Sequence, residues 1–198
     1  MKGEVTIDLI AQFAGDIADN EGLEKLTVKA VAEKLEIKPP SLMFHVKNLN
    51  GLKSILGQHT IKVLVAELLR AGFGKSGLEA VVALGKASMD FAVRHPGMYE
   101  SIQWFNAYAE PRGSDEPDAR AFQQITELFF ELFKGSKMPE LEVSHIIRGF
   151  RSLIHGFATI AGHKGFGHPS DIVESFEYCL ELFLNGVKMK LHEAEGNR

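Results

Sequence analysis

Residues 26–47 read LTVKAVAEKLEIKPPSLMFHVK, and this stretch decides the fold. Thr27 is a residue type that caps a helix, and Val28, Val31, Ala32 and Leu35 then recur at the spacing that turns one helical face inward. A short turn, Glu36-Ile37-Lys38, follows. The Pro39-Pro40 pair next sets the start of a second short helix, because a first helical turn has no use for the N–H groups that proline lacks. Two helices of about eight residues joined by such a turn, the second flanked by Lys38 and Lys47, form a helix-turn-helix pattern. In that arrangement the second helix enters the major groove of duplex DNA and the first crosses the phosphate backbone.

Charge is concentrated at the same place. The chain carries a net charge of −4, but residues 1–24 hold one Lys against six acids, whereas residues 25–53 hold six Lys against two Glu. A short basic segment in an acidic protein is how a small DNA-contacting element shows itself in a chain whose remainder does another job.

Outward from this stretch the periodicity is helical throughout. Ile7, Leu9, Ile10, Phe13, Ala14 and Ile17 predict a first helix closed by Gly22. A long helix is expected from Asn48 to about Arg70, and the glycines at 72, 74 and 77 end it. Further helices are expected over 78–95, 96–104, 118–134, 139–163 and 170–191, with turns at 111–115 and 165–169 and a frayed tail from His192. The fold class is therefore all-α, with a helix-turn-helix domain at 1–50 and a larger helical bundle at 51–198. The last two long helices have wide apolar faces, which predicts packing on a second copy of the chain. Phe150, Phe157, Phe176, Leu180, Phe183 and Leu184 are the expected contacts of that homodimer.

Composition narrows the function. With 198 residues, 45% of them apolar and 24% charged, the chain is long enough for a real core and is neither disordered nor low-complexity. No run approaches the roughly 20 apolar residues that span a bilayer, and Met1-Lys2-Gly3-Glu4 does not open a signal peptide, so a cytoplasmic location with no membrane partner is expected. A single cysteine, Cys179, excludes an internal disulfide and a cysteine-based zinc cluster. Fourteen Phe against three Tyr and one Trp point to a greasy interior or pocket more than to a hydrogen-bonding surface.

The segment 5–56 resembles the N-terminal DNA-binding domain of TetR-type transcriptional regulators: an amphipathic helix, LTVKAVAEKLEIKPPSL, then His45-Val46-Lys47-Asn48 leading into a long fourth helix. The stretch RSLIHGFATIAGHKGFGHPSDIVESFEYCLELFLNGVK resembles the subset whose C-terminal domain is named for a Trp-His-Gly tripeptide, which here is Ile154-His155-Gly156. The resemblance implies phosphate contact by Thr27, His45 and Lys47, and base-edge contact by Lys29, Lys38, Pro39, Pro40, Ser41 and Phe44. Lysine donates to phosphate or guanine, Ser41 can reach either a base or a phosphate, and the prolines and Phe44 are apolar surfaces suited to thymine methyls. Where the family places a tyrosine, a lysine and a turn glycine, this chain has Met43, Leu49 and Glu36, and Glu36 must take a left-handed conformation at about 1 kcal/mol or reshape the turn. The resemblance further implies a ligand-responsive homodimer, most simply a repressor released from a near-palindromic site by a small, mostly apolar ligand. Met89, Trp104, Phe105, Phe122, Phe129, Phe150 and His155 are the expected lining of its pocket, with the imidazole of His155 as the polar anchor.

Other signals are weaker. Gly74-Lys75-Ser76 has no preceding strand and has Leu69 where a phosphate loop needs its first glycine, so it reads as a turn. Glu142 and His145 have the spacing of a carboxylate metal helix but no second pair, and His155, His163 and His168 do not share a helical face, so no metal and no cofactor are expected. Cys179 falls on an apolar face and reads as a buried, inert thiol. No nucleophile, base and orienting group stand together, so an enzyme is not expected. The readings that compete are a helical ligand-binding protein or small enzyme without DNA binding, and a constitutive DNA-binding protein with a solid core; the basic segment 25–53 argues against the former.

Overall fold

The structure, a computed structural model, describes residues 5–108, 130 and 133–196. Among these every regular element is helical: α1 (Ile7–Glu21), a 3-10 turn (Leu23–Lys25), α2 (Val28–Lys34), α3 (Pro39–Val46), α4 (Leu49–Gly72), α5 (Gly77–Arg94), α6 (Pro96–Tyr108), α7 (Glu140–Gly162) and α8 (Ile172–Gly196). The all-α expectation holds. The helix expected over 118–134 and the turn at 111–115 lie outside the described residues, apart from Phe130 and from Phe133 and Lys134 in a turn. The tail expected to fray from His192 instead continues α8 to Gly196, where Lys190 and Glu193 pair at 2.7 Å one turn apart. None of the described helices is long and apolar enough to cross a membrane.

The described chain divides into two compact units. One holds the residues up to Leu64 and returns with Arg94 and α6; the other holds 65–93 and 133–196. The first unit runs past residue 50 and takes in α6, from beyond α5.

In the first unit Thr6 caps α1, its hydroxyl accepting the Leu9 N–H at 3.2 Å. Ile10, Ala14 and Ile17 on α1, Val31 and Ala32 on α2, Leu42 on α3 and Leu52 and Leu56 on α4 form a fully buried core. α6 is bound into this unit by polar contacts as well. The Asp19 carboxylate near the end of α1 accepts the Met98 N–H through Oδ1 and the His95 Nδ1–H through Oδ2, both at 2.8 Å, and so caps α6. The buried hydroxyls of Thr60 on α4 and Ser101 on α6 meet at 3.3 Å. α1 and α6 approach so closely that a Cβ at Gly97 would fall on the carbonyl of Ala18.

The second unit has its own core, in which Leu84, Met89 and Phe91 of α5, Phe150 of α7 and Phe176 of α8 are buried. Gly85 is where α5 admits its neighbours: a Cβ there would lie 3.1 Å from both the Phe150 ring and a Leu180 methyl. Phe157 touches Phe176 edge to face with ring centres 5.5 Å apart, and Phe166 at 5.3 Å. Lys86 pairs with Glu177 at 2.7 Å across the exposed side of α5 and α8. Cys179, expected to be buried, is half-exposed on α8.

Candidate nucleic-acid interface

Local sequence positions α2 and α3. Thr27 caps α2, its hydroxyl oxygen accepting the Ala30 N–H at 3.0 Å. The helix ends in a tight turn where Ile37 N–H bonds to the Ala32 carbonyl and Glu36 N–H to that of Glu33, with Glu36 at φ +55°. This is the helix ending that favours glycine, and Glu36 takes the left-handed conformation there. Lys38 precedes α3, and Pro39 and Pro40 occupy its first turn as the sequence predicts. At the far end Lys47 also has a positive φ, of 62°, and Asn48 caps α4 by accepting the Gly51 N–H at 2.9 Å. A Cβ at Gly51 would overlap the Val46 carbonyl, so a glycine is required where α4 folds back on α3.

These elements bury Val31, Ala32, Leu42 and Val46 and leave every expected DNA-contacting side chain exposed: Thr27, Lys29, Lys38, Pro39, Pro40, Ser41, Phe44, His45 and Lys47. Phe44 is 87% exposed and Met43 beside it 49%. Lys29 reaches Glu33 at 3.8 Å along α2. Among the described residues Lys38 and Lys47 make no ion pair, so both ammonium groups are available to anions.

Of the residues expected to line a ligand pocket, the structure describes the side chains of Met89, Phe150 and His155. Met89 and Phe150 are buried in the close-packed core of the second unit. Phe122 and Phe129, and the side chains of Trp104 and Phe105, lie outside the described residues. His155 is half-buried on α7, with Thr159 one turn on at 3.5 Å. Burial, with a smaller contribution from the Arg151 charge, holds its imidazole below the ordinary value, so the neutral ring is favoured. A groove of about 640 Å³ runs elsewhere, between α5 and α8, and its lining, including Val82, Lys86, Tyr178 and Glu181, was not legible as a site in the sequence.

The expected dimer residues also divide. Phe150, Phe176, Leu180 and Leu184 are buried within the single chain and serve its own core, while Phe157 and Phe183 are half-buried. The apolar side chains that α7 and α8 expose are Leu141, Ile160, Val173, Tyr178, Leu182 and Met189. Among the described residues no cluster of three His, Cys, Asp or Glu could hold a metal ion.

A capped helix-turn-helix whose exposed second helix is bracketed by Lys38 and Lys47, joined to a larger helical unit, defines a DNA-binding transcriptional regulator. Residues 81–183 match the family of the tetracyclin repressor-like C-terminal domain, a description that does not specify the Trp-His-Gly subset. The chain belongs to the TetR family of transcriptional regulators, which are not enzymes. It is 29% identical over 184 residues to an uncharacterized HTH-type transcriptional regulator of Bacillus subtilis (strain 168), covering 92% of this chain and 93% of that protein. In fold it is similar to a protein of unknown function from Rhodococcus sp. RHA1, with a TM-score of 0.73 at 18% identity over 92% of this chain and 96% of that one. It is also similar to a TetR regulator from Streptomyces coelicolor, with a TM-score of 0.69 at 18% identity over 92% and 97%.

Proposed function

We propose that this chain is a homodimeric repressor that binds a near-palindromic DNA site and is released from it by a small, mostly apolar ligand. In this reading residues 1–50 carry the DNA contacts and residues 51–198 the ligand and dimer contacts. The observation that carries it is the exposed side of the helix-turn-helix, where all nine expected contact residues reach solvent while the helices' apolar residues pack inside. Two copies related by a two-fold axis would set their α3 helices in successive major grooves about 34 Å apart, hence a near-palindromic site. Selection from random duplexes at moderate salt tests the reading, and recovery of no enriched site would refute it.

Lys47 supplies a first prediction. A side chain that contacts phosphate releases a counterion without reading bases. Lys47→Ala should therefore weaken binding to every sequence alike and reduce the slope of log affinity against log salt by about 1. Fluorescence anisotropy across a salt series on the selected and on a scrambled duplex measures both.

The exposed apolar residues of α7 and α8 support the dimer, and Leu182, 56% exposed on α8, is the probe. Leu182→Glu puts a charge on that face without entering the core, so it should give a folded monomer at micromolar concentration in sedimentation, with unchanged helicity. A monomer should also lose most of its operator affinity, because each half-site is then held alone.

A further inference from the structure

The side chains α3 exposes are unusual for a helix that reads DNA. Its eight residues, PPSLMFHV, include no Arg, Lys, Asn, Gln, Asp or Glu. The side chains that make bidentate pairs with guanine or adenine, or accept from cytosine, are thus absent from the helix itself. Its polar groups are Ser41 and His45, and Lys38 and Lys47 stand just beyond its two ends. What α3 does present is apolar: Pro39, Pro40, Met43 and Phe44 are all exposed. Pro40 and Phe44 are four residues apart and share a face, and so do Pro39 and Met43. Single exposed apolar residues are ordinary, but a phenylalanine 87% exposed and next to three more apolar residues on one short helix is a patch that calls for a partner.

In the major groove one base feature matches such a surface, the C5-methyl group of thymine. The cationic ends fit the same partner, because Lys38 and Lys47 bracket the patch and can rest on the phosphates of the groove walls. We propose that α3 reads its half-site chiefly through thymine methyl groups, with Phe44 as the principal specificity-determining residue and Pro40 and Met43 beside it. This rests on the DNA-binding reading above and specifies how that surface discriminates. Half-sites should accordingly be rich in thymine on the strand that faces Phe44, and guanine preference should be confined to the positions next to Lys38.

The test uses the full-length protein and the duplex recovered by selection, with each thymine replaced singly by deoxyuridine, which removes the methyl group and leaves base pairing unchanged. One or two positions in each half-site should lose about fourfold in affinity, the expected effect of one methyl-sized apolar burial. Phe44→Ala should weaken binding to the thymine duplex by roughly tenfold or more. With that variant, deoxyuridine at the same positions should make no further difference. Phe44 is exposed, so the variant should keep its fold, and circular dichroism verifies this. If the wild-type protein binds its selected site and tolerates uracil everywhere, methyl reading is overturned while the DNA-binding reading stands, and the Phe44 patch then belongs to a protein contact. If uracil sensitivity persists in Phe44→Ala, Phe44 is not the reader and the assignment fails. Absence of binding to any duplex would instead overturn the function on which the inference rests.

Discussion

Gly97→Ala is expected to lower the thermal stability of this protein sharply without altering any residue near the DNA. The added Cβ would fall on the carbonyl oxygen and carbon of Ala18 and lie 2.8 Å from the Asp19 nitrogen. These are backbone atoms of a helix and cannot swing aside as a side-chain tip does, so α1 and α6 must part. Parting them strains the two hydrogen bonds that Asp19 accepts from Met98 and His95 and loosens Met98 where its sulfur lies against Gly15. Overpacking of this kind usually costs about 1–3 kcal/mol, and rigid backbone on both sides places this site at the upper end. At about 3 kcal/mol the melting temperature should fall by roughly 6–12 °C. Gly186→Ala in α8 is the control, because its Cβ meets nothing within 4 Å among the described residues and alanine is the better helix former. It should be neutral or slightly stabilising. Thermal denaturation of the two variants beside the wild type decides the matter, and equal melting temperatures would show that α1 and α6 are not in close contact.

Phe150→Ala carries the second large effect. Phe150 is 1% exposed, and its ring fills the space beside Gly85 and lies tilted against Phe183 with centres 6.4 Å apart. Removing a fully packed phenyl group costs about 3–5 kcal/mol, part transfer energy and part cavity. Phe150→Leu, which keeps most of the volume, should cost less than half of that. The loss should appear in thermal denaturation at every protein concentration and with or without DNA. A residue that lined an open pocket or a subunit interface would behave differently, for its removal would change ligand response or self-association at nearly constant monomer stability. A melting temperature within about 2 °C of the wild type would therefore return Phe150 to the surface of a cavity.

The helix-turn-helix was legible in the sequence because its instructions are local. Thr27, the Pro39-Pro40 pair and the alternation of charged and apolar residues place α2 and α3 to within a residue of where they lie, and Glu36 marks the left-handed turn by standing where glycine is usual. The place of α6 was not legible, because it depends on contacts far apart in the chain. Nothing near Asp19 distinguishes it from the other acids of the first 24 residues, and Gly97 looks like an ordinary residue following a helix-starting proline. The apolar stripes of α7 and α8 were legible as faces that something covers, yet periodicity reports that a face is covered and not by what. Phe176, Leu180 and Leu184 are covered by their own chain. Cys179 sits one residue before buried Leu180 and is only half-covered, a difference that helical spacing alone does not resolve.

The chain does not write its DNA-reading half as one continuous passage. α6 completes that half, yet it follows α5, which belongs to the other unit, with His95 as the only residue between the two helices. A reading head cut out at residue 50 or 64 would leave the end of α1 without the helix that Asp19 holds, and so would not be portable on its own. Exchange of heads between regulators of this architecture, whether by recombination in nature or by gene fusion in the laboratory, would have to respect that interleaving. A recipient must bring an α6 whose first turn presents a glycine to α1 and a backbone N–H to its closing carboxylate. In this chain a new DNA preference should therefore arise more easily by changing the exposed face of α3 than by joining another protein's head to its body.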